Sequence, residues 1–258
     1  MKKTQGKERI ESRESEKYRE SEKYRESEKF RESENTEKVK NTEKVKNTGK
    51  GQNAGKASAK PSGKGAEAIT KQSWRPGTLL NPVPAVLVSC AGKDGSDNLL
   101  TVAWTGVVCS DPAMVYISVR PQRYSHHMIE ETGEFVINLT TEALCAAADY
   151  CGVRSGATVD KWKDCGLTRQ KASKVNAPLV QESPVNLECK VTQVLRLGSH
   201  DMFLARIEAV DVDARFLDEN GKLDLGRCKL IAYSHGEYRP LGKVLGTFGY
   251  TVRKQPKA

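Results

Sequence analysis

Long apolar runs are missing from this chain of 258 residues, and so is the pattern of a secretory signal. No stretch approaches the roughly 18 consecutive apolar residues that are typical of a membrane-spanning helix. The first residues, MKKTQGKERIESRESEK, contain no apolar segment of the kind found in signal peptides. We therefore expect a soluble, cytoplasmic protein with no membrane partner.

Paired cysteines and spaced metal ligands are also missing. None of the seven cysteines, at positions 90, 109, 145, 151, 165, 189 and 228, belongs to a C-x-x-C pair. Their pattern favours buried, reduced thiols over a redox pair or an iron–sulfur ligand set. Among four histidines, His126 and His127 are adjacent and would point about 100° apart on a helix, which does not suit a shared metal ion. No metal site is predicted.

A dinucleotide-binding fingerprint is absent as well, apart from one formal match. The segment GKGQNA at Gly49–Ala54 fits G-x-G-x-x-A. It follows no predicted strand and opens no predicted helix, so we interpret it as a chance match. This absence does not exclude a nicotinamide substrate, because some folds bind nicotinamide without the fingerprint.

The first 73 residues have the composition of a disordered tail and linker. They carry 20 Lys+Arg and 13 Asp+Glu, so most of the chain's excess of positive charge lies here. Residues 11–48 repeat RESEKY- and KNTEKV-like hexapeptides, and a period of six builds no apolar stripe on a helix. Because positive and negative charges alternate, nucleic-acid binding is disfavoured. The sequence predicts one folded domain over residues 74–258.

The folded part is predicted to be mainly β, of the α+β class, with short helices. Leu99–Cys109 is apolar or small on both faces, as in a strand buried on both sides. Ser125 lies where a helix N-cap is expected and Gly133 where the helix should end. A second short helix is predicted at Glu142–Tyr150, capped by Thr140 or Thr141, and a helical turn at Asp160–Cys165. The other predicted strands are Ala85–Cys90, Met114–Val119, Phe135–Leu139, Val185–Val191 and Met202–Asp213.

The last two of these strands are predicted to form a hairpin across the turn Gly198–Asp201. Apolar residues alternate with Asn186, Glu188 and Lys190 along Val185–Val191. Such alternation predicts a half-buried antiparallel strand whose polar side chains face solvent. From the residues alone, the expected architecture is an antiparallel barrel or sandwich with helical insertions.

Five short motifs, in order, carry a resemblance to a known family. The motifs are N-x-x-x-x-x-W at Asn98 and Trp104, S-D-P at Ser110–Pro112, R-x-S at Arg123–Ser125, T-G-E-F-V-I-N at Thr132–Asn138 and G-S-H-D-M-F at Gly198–Phe203. With these motifs the chain resembles the flavin reductase-like family of FMN-binding split barrels, in particular its flavoredoxin-like branch. The resemblance covers roughly residues 76–246 and implies an FMN-binding split β-barrel.

For the phosphate of a noncovalent FMN, Ser125 and Arg123 are the candidates. A serine at a helix start brings a hydroxyl together with unpaired amides, and the helix dipole favours an anion. Taken alone, this pattern also fits a plain N-cap on a surface helix. The resemblance favours the phosphate role.

For the flavin ring, the candidates are Asn98, Thr101 and Trp104. An even separation on one strand would place Asn98 and Trp104 on the same face. Core packing is the competing explanation for Trp104, and the flavin contacts are implied by the resemblance. It also implies a flavin contact for Lys161, at the phosphate or at the ring edge, where the alternative is a solvated lysine.

The resemblance further implies that His200, in the hairpin turn, serves the redox step as the catalytic candidate near the flavin or the nicotinamide. Tyr233 matches an aromatic position beside the ring. The predicted function is an FMN flavoprotein oxidoreductase using NADH or NADPH, and a homodimer. The alternatives are a flavoredoxin-type electron carrier with a redox partner protein, and a non-enzymatic binding module with a basic tail.

Overall fold

The computed structural model describes residues 69–253, and the predicted tail and linker fall almost entirely outside this range. The described part is mostly strands joined by short helices, which confirms the predicted mainly β class. The strands are β1 Val83–Pro84, β2 Val86–Ala91, β3 Asp97–Val102, β4 Thr105–Ser110, β5 Ala113–Val119, β6 Glu134–Leu139, β7 Arg169–Gln170, β8 Leu179–Val180, β9 Val185–Arg196, β10 Asp201–Val212, β11 Ile231–Ser234 and β12 Glu237–Pro240.

Seven of these strands form one antiparallel sheet in the order β3-β2-β6-β9-β10-β5-β4. The two edge strands, β3 and β4, follow each other in the chain with only Ala103 and Trp104 between them. So short a connection requires the two edges to meet, which curls the sheet into a barrel. The backbone amide of Ser118 in β5 donates to the carbonyl of Trp104 at 2.9 Å, which extends the β4–β5 pairing to the bend between β3 and β4. The interior is filled by fully buried side chains, among them Ile117, Phe135 and Phe203.

The predicted single strand Leu99–Cys109 is wrong in two respects. The chain bends at Ala103 and Trp104, so β3 and β4 are separate strands. β4 is an edge strand, and its side chains Val107 and Val108 are 77% and 49% exposed. An apolar edge strand and an apolar buried strand have the same sequence pattern, so periodicity could not separate them.

Three helices pack against the barrel: α1 Tyr124–Thr132, α2 Cys145–Val153 and α3 Lys161–Asp164. The end of α1 at Gly133, with φ of 68°, is confirmed. The predicted N-cap is wrong, because Arg123 holds that position and makes no side-chain capping bond. Ser125 is the second helical residue, and it is buried rather than at the surface. Thr141 caps the 3-10 turn before α2, as predicted. The helical turn predicted at Asp160–Cys165 is α3, and the carboxylate of Asp160 caps it.

The predicted hairpin is confirmed as β9 and β10. Of the three polar side chains of β9 that were predicted to face solvent, Lys190 is exposed, but Asn186 and Glu188 are buried. Asn186 is 6% exposed and Glu188 is 0% exposed. The segment 172–180 covers this face, and the Glu188 carboxylate accepts bonds from the amides of Ser173, Lys174 and Val175. The polar alternation therefore predicted the outer face of the barrel correctly, but the segment 172–180 shields Asn186 and Glu188 from solvent.

A separate three-stranded sheet, β1-β11-β12, lies outside the barrel sheet. Tyr233 of β11 pairs in register with Val83 of β1 and with Tyr238 of β12.

Candidate functional site

Two adjacent hollows at the seam of the barrel bring together most of the predicted site residues. The first, which we call the lysine hollow, encloses about 100 Å³. The second, which we call the tryptophan hollow, encloses about 160 Å³. Leu100, Thr101 and Arg123 line both, so the two hollows are direct neighbours. Asn98, Ser125 and Lys161 line the first hollow only, and Trp104 and His200 line the second only.

Lys161 is buried at the first position of α3, with only 3% of its surface exposed. Its ammonium donates to the carbonyl of Leu99 at 2.7 Å and to that of Cys151 at 2.9 Å. No carboxylate of the described residues forms an ion pair with it. Burial first, and then the positive charge of Arg123, lowers the pKa of Lys161. A buried cation with one donor left over is a strong site for an anion.

The start of α1 forms the opposite wall of the lysine hollow. Because Arg123 caps the helix without its side chain, the first amides of α1 have no capping acceptor. The buried Ser125 hydroxyl accepts a bond from Asn98 Nδ2 at 2.7 Å. That bond leaves the Ser125 proton available to an acceptor in the hollow. Arg123 is anchored to the carbonyl of Gly152 at 2.9 Å.

The loop between α2 and α3 completes the lysine hollow. A Cβ added at Gly156 would stand 2.7 Å from Asn98 Nδ2, so only glycine permits the loop to approach this closely. Thr101 donates its hydroxyl to the carbonyl of Ala148 and so fixes α2 against β3. The proton of the Thr101 hydroxyl is therefore already used in a bond within the protein. The rest of the side chain lines the two hollows.

In the tryptophan hollow, the rings of Trp104 and His200 lie 4.3 Å apart and tilted by 36°. Trp104 is 42% exposed and is not a core residue. It lies in the bend after β3, so Asn98 and Trp104 do not share a strand as expected. Nδ1 of His200 lies 2.9 Å from Ser199 Oγ. Burial, followed by the charges of Arg120 and Arg123, lowers the pKa of His200, which keeps the ring neutral at neutral pH.

A network of polar side chains fixes the base of the turn that carries His200. Asp201 Oδ2 lies 2.7 Å from His126 Nε2 of α1, and Arg196 pairs with the same carboxylate. Burial alone would raise the pKa of Asp201, but the bonds from His126 and Arg196 outweigh it and lower the pKa. These contacts fix the position of the hairpin turn relative to the start of α1.

Tyr233 is the one predicted site residue that the structure does not bring to these hollows. Its ring packs edge-on against Tyr238, with centroids 5.3 Å apart. In this single chain it lines neither hollow, and its flavin contact stays a prediction.

A larger open groove of about 590 Å³ lies elsewhere, beside the turn between β2 and β3. Its lining includes Asp97, Glu131 and Glu134 against a single lysine, Lys93. Such a charge balance repels a phosphate, so the smaller lysine and tryptophan hollows are the better candidate site.

Sequence reasoning missed the contribution of the α2–α3 loop. Arg154, Ser155 and Gly156 line the lysine hollow beside the predicted residues. The only signal was the small polar run R-S-G-A-T, which is also typical of an ordinary surface loop. The parts of the chain that the structure describes contain no cluster of His, Cys, Asp or Glu suited to a metal. Between residues 69 and 253, no helix has the length and hydropathy needed to cross a bilayer.

Comparisons with known proteins place this architecture in a family. Residues 79–242 match the flavin reductase like domain. Flavoredoxin of Desulfovibrio vulgaris (Miyazaki F) is 31% identical with a TM-score of 0.66, over 71% of this chain and 100% of that chain. Flavoredoxin from Methanosarcina acetivorans is 25% identical with a TM-score of 0.65, over 72% of this chain and 100% of that one.

Among sequence relatives, an NADH:riboflavin 5'-phosphate oxidoreductase of Streptomyces pristinaespiralis is 23% identical over 142 residues. That alignment spans 53% of this chain and 75% of the relative. The barrel topology, the two hollows and the matched domain agree with one another. This chain belongs to the flavin reductase-like family and has its split-barrel fold.

Proposed function

We propose that this protein is an FMN-dependent oxidoreductase that accepts a hydride from NADH or NADPH. The observation that carries the proposal is the buried Lys161 ammonium, which has no carboxylate partner among the described residues and faces the uncapped start of α1. The flavoredoxins and the riboflavin 5'-phosphate oxidoreductase among its relatives support a flavin as the ligand.

The lysine hollow fits a flavin phosphate. Lys161 and Arg123 supply positive charge, Ser125 supplies a hydroxyl, and α1 supplies free amides. A dianion bound here would also relieve the unfavourable burial of the Lys161 charge. Asn98 and Gly156 set the width of the hollow and keep the Ser125 hydroxyl turned toward the ligand.

The tryptophan hollow suits the ring of the flavin, which when bound supplies two-electron chemistry. Trp104 offers an exposed aromatic face for ring contact. His200, neutral and packed against Trp104, holds Nε2 free of its Ser199 bond for the ligand or the incoming nicotinamide. Asp201, His126 and Arg196 orient the turn that presents His200.

The flavoredoxin neighbours favour a second candidate, an electron carrier that exchanges electrons with a partner protein and ignores nicotinamides. One experiment separates the two. Flavin released from the protein by heat should run as FMN in chromatography, and anaerobic NADH or NADPH should bleach the bound flavin. Bleaching by dithionite but by neither nicotinamide would favour the carrier. Failure to bind FMN after reconstitution would contradict both candidates and leave a non-enzymatic module.

We also propose a homodimer. β4 exposes Val107 and Val108, and the terminal segment exposes Leu245 and Phe248 at 94% and 102%. Apolar side chains exposed on this scale are typical of a surface covered by a second copy. Light scattering should give twice the chain mass of 28.5 kDa. Val107→Lys should shift the protein toward monomer, and a wild-type monomer would refute the assembly.

His200→Ala should slow flavin reduction by about tenfold or more, as expected when a positioned hydrogen-bonding group is lost. The thermal stability of the apoprotein should change by less than about 1 kcal/mol, because the residue lies in a partly exposed turn. His127→Ala is the matched control, since His127 is exposed on α1 and should leave the rate unchanged. A large stability loss with an unchanged reduction rate would show that His200 is structural.

The pH dependence of this step has a definite sign. Because the folded pKa of His200 is lowered, the native state binds fewer protons than the unfolded chain. The stability contribution of neutral His200 is complete above the unfolded value of 6.5 and is lost as pH falls below it. If the neutral ring serves reduction, the rate should fall over the same acidic range, and His200→Ala should remove that fall.

A further inference from the structure

Two cysteines fourteen residues apart contact each other at the wall of the lysine hollow, which Cys151 itself lines. Cys151, in the last turn of α2, has its Sγ 4.0 Å from the Sγ of Cys165, which ends α3. Cys151 is 1% exposed, whereas Cys165 is half-buried and is the more accessible of the two. The fourteen-residue separation matches no redox motif, so the sequence alone gave no sign of this pair.

The neighbouring residues hold the two sulfurs within range. Tyr150 precedes Cys151, and Asp164 precedes Cys165. The Tyr150 hydroxyl donates to the Asp164 carboxylate at 2.6 Å, which ties the end of α2 to the end of α3. The chain between the two cysteines contains Gly156 and Lys161, so it forms one side of the lysine hollow.

We propose that Cys151 and Cys165 are a reversible disulfide site, oxidised by a low-molecular-weight disulfide such as glutathione disulfide. The Cys165 thiolate attacks one glutathione sulfur, and the first glutathione leaves as its thiolate. Cys151 then loses its proton and attacks the Cys165 sulfur of the mixed disulfide, which expels the second glutathione. Two protein thiols lose two electrons and two protons, and one glutathione disulfide becomes two thiols.

The geometry assigns the order of attack. Cys165 is the more accessible thiol and accepts a hydrogen bond from Cys151, which favours its thiolate. Burial raises the pKa of Cys151 to about 12, so its thiol stays protonated until the mixed disulfide has formed. Burial also raises the pKa of Cys165, so the reaction should be slow at neutral pH and faster in mild alkali.

Disulfide formation would bring the two sulfurs from 4.0 Å to about 2.05 Å and close a ring through the α2–α3 loop. A ring of this size restricts the unfolded chain and should raise the Tm by roughly 6–12 °C. Since the loop lines the lysine hollow, oxidation should also slow the release of FMN. That last consequence rests on the proposed function, whereas the disulfide itself does not.

The test uses the full chain, free of flavin, incubated with glutathione disulfide in mild alkali. We expect the intact mass to fall by two hydrogen atoms and a non-reducing tryptic digest to join the Cys151 and Cys165 peptides. The Tm should rise, and dithiothreitol should reverse both changes. Cys145→Ser, a half-buried position of the same helix, should behave as the wild type.

Cys151→Ser and Cys165→Ser should lose the mass change and the Tm rise. A stable glutathione adduct on Cys165, a different cross-link or no reaction in the wild type would each overturn the proposal. The tryptic peptide 124–154 carries both Cys145 and Cys151, so fragmentation of the joined wild-type peptides in the mass spectrometer must assign the link to Cys151. That assignment needs no variant, so a poorly folding variant does not affect the outcome. Release of FMN is measured separately, so absence of flavin binding would contradict the proposed function and leave the disulfide result intact.

Discussion

Replacing Lys161 with methionine should weaken FMN binding by about 100-fold, while riboflavin, which lacks the phosphate, should lose less than about threefold. Removing one member of a buried charge pair costs roughly 3–5 kcal/mol, and even 3 kcal/mol corresponds to more than 100-fold in affinity. Methionine keeps the length and apolar character of the side chain, so the change isolates the charge.

The physical reason lies in the environment of the ammonium before the ligand arrives. Lys161 donates only to two backbone carbonyls, and burial lowers its pKa. A lysine whose folded pKa is lowered destabilises the native state at neutral pH, and that cost is removed only as pH rises toward the unfolded pKa. Binding a phosphate dianion compensates the charge directly, so FMN should raise the Tm of the wild type more than that of Lys161→Met.

Lys163→Met is the matched control for this experiment. Lys163 lies two residues further along α3 and is exposed, so the same loss of charge occurs outside the hollow. Its FMN affinity should stay within about twofold of wild type, as expected for a solvated surface charge. Equal weakening of FMN and riboflavin by Lys161→Met would assign Lys161 to the ring edge instead of the phosphate.

The fold could be predicted from the sequence where local pattern and tertiary environment agree. The β9–β10 hairpin, the end of α1 at Gly133 and the helical turn of α3 all depend on residues within a few positions. The prediction of one buried strand at Leu99–Cys109 was wrong, because an apolar pattern does not distinguish an interior strand from an exposed edge strand. The prediction that Glu188 faces solvent was wrong, because the segment that covers it lies about fifteen residues earlier in the chain.

The sequence predicted which residues form the candidate site better than it predicted their positions and contacts. Asn98 and Ser125 both line the hollow and form a hydrogen bond, but Ser125 lies inside α1 and not at the predicted N-cap. Lys161 looked like any surface lysine, since nothing in D-K-W indicates that β3 and α2 present carbonyls to its ammonium. Contacts between distant segments define this site, and a single sequence does not encode them locally.

Gly156→Ala should lower both the stability of the apoprotein and its affinity for FMN. The new Cβ would stand 2.7 Å from Asn98 Nδ2 and closer still to the rest of that amide. Asn98 cannot swing aside freely, because it is 4% exposed and bonded to Ser125. Overpacking of this kind typically costs about 1–3 kcal/mol, which here should appear as a lower Tm and roughly ten- to a hundredfold weaker FMN binding.

Gly152→Ala is the matched control, because Gly152 lines the same hollow. Its Cβ would lie 3.4 Å from Thr101, an ordinary contact, and its position inside α2 favours alanine by up to about 1 kcal/mol. The Tm of Gly152→Ala should therefore stay unchanged or rise, whereas that of Gly156→Ala should fall. The double variant Asn98→Ala with Gly156→Ala decides the cause, since removing the amide removes the clash and the two stability losses should be less than additive. Additive losses would show that Gly156 acts through the loop backbone and not through Asn98.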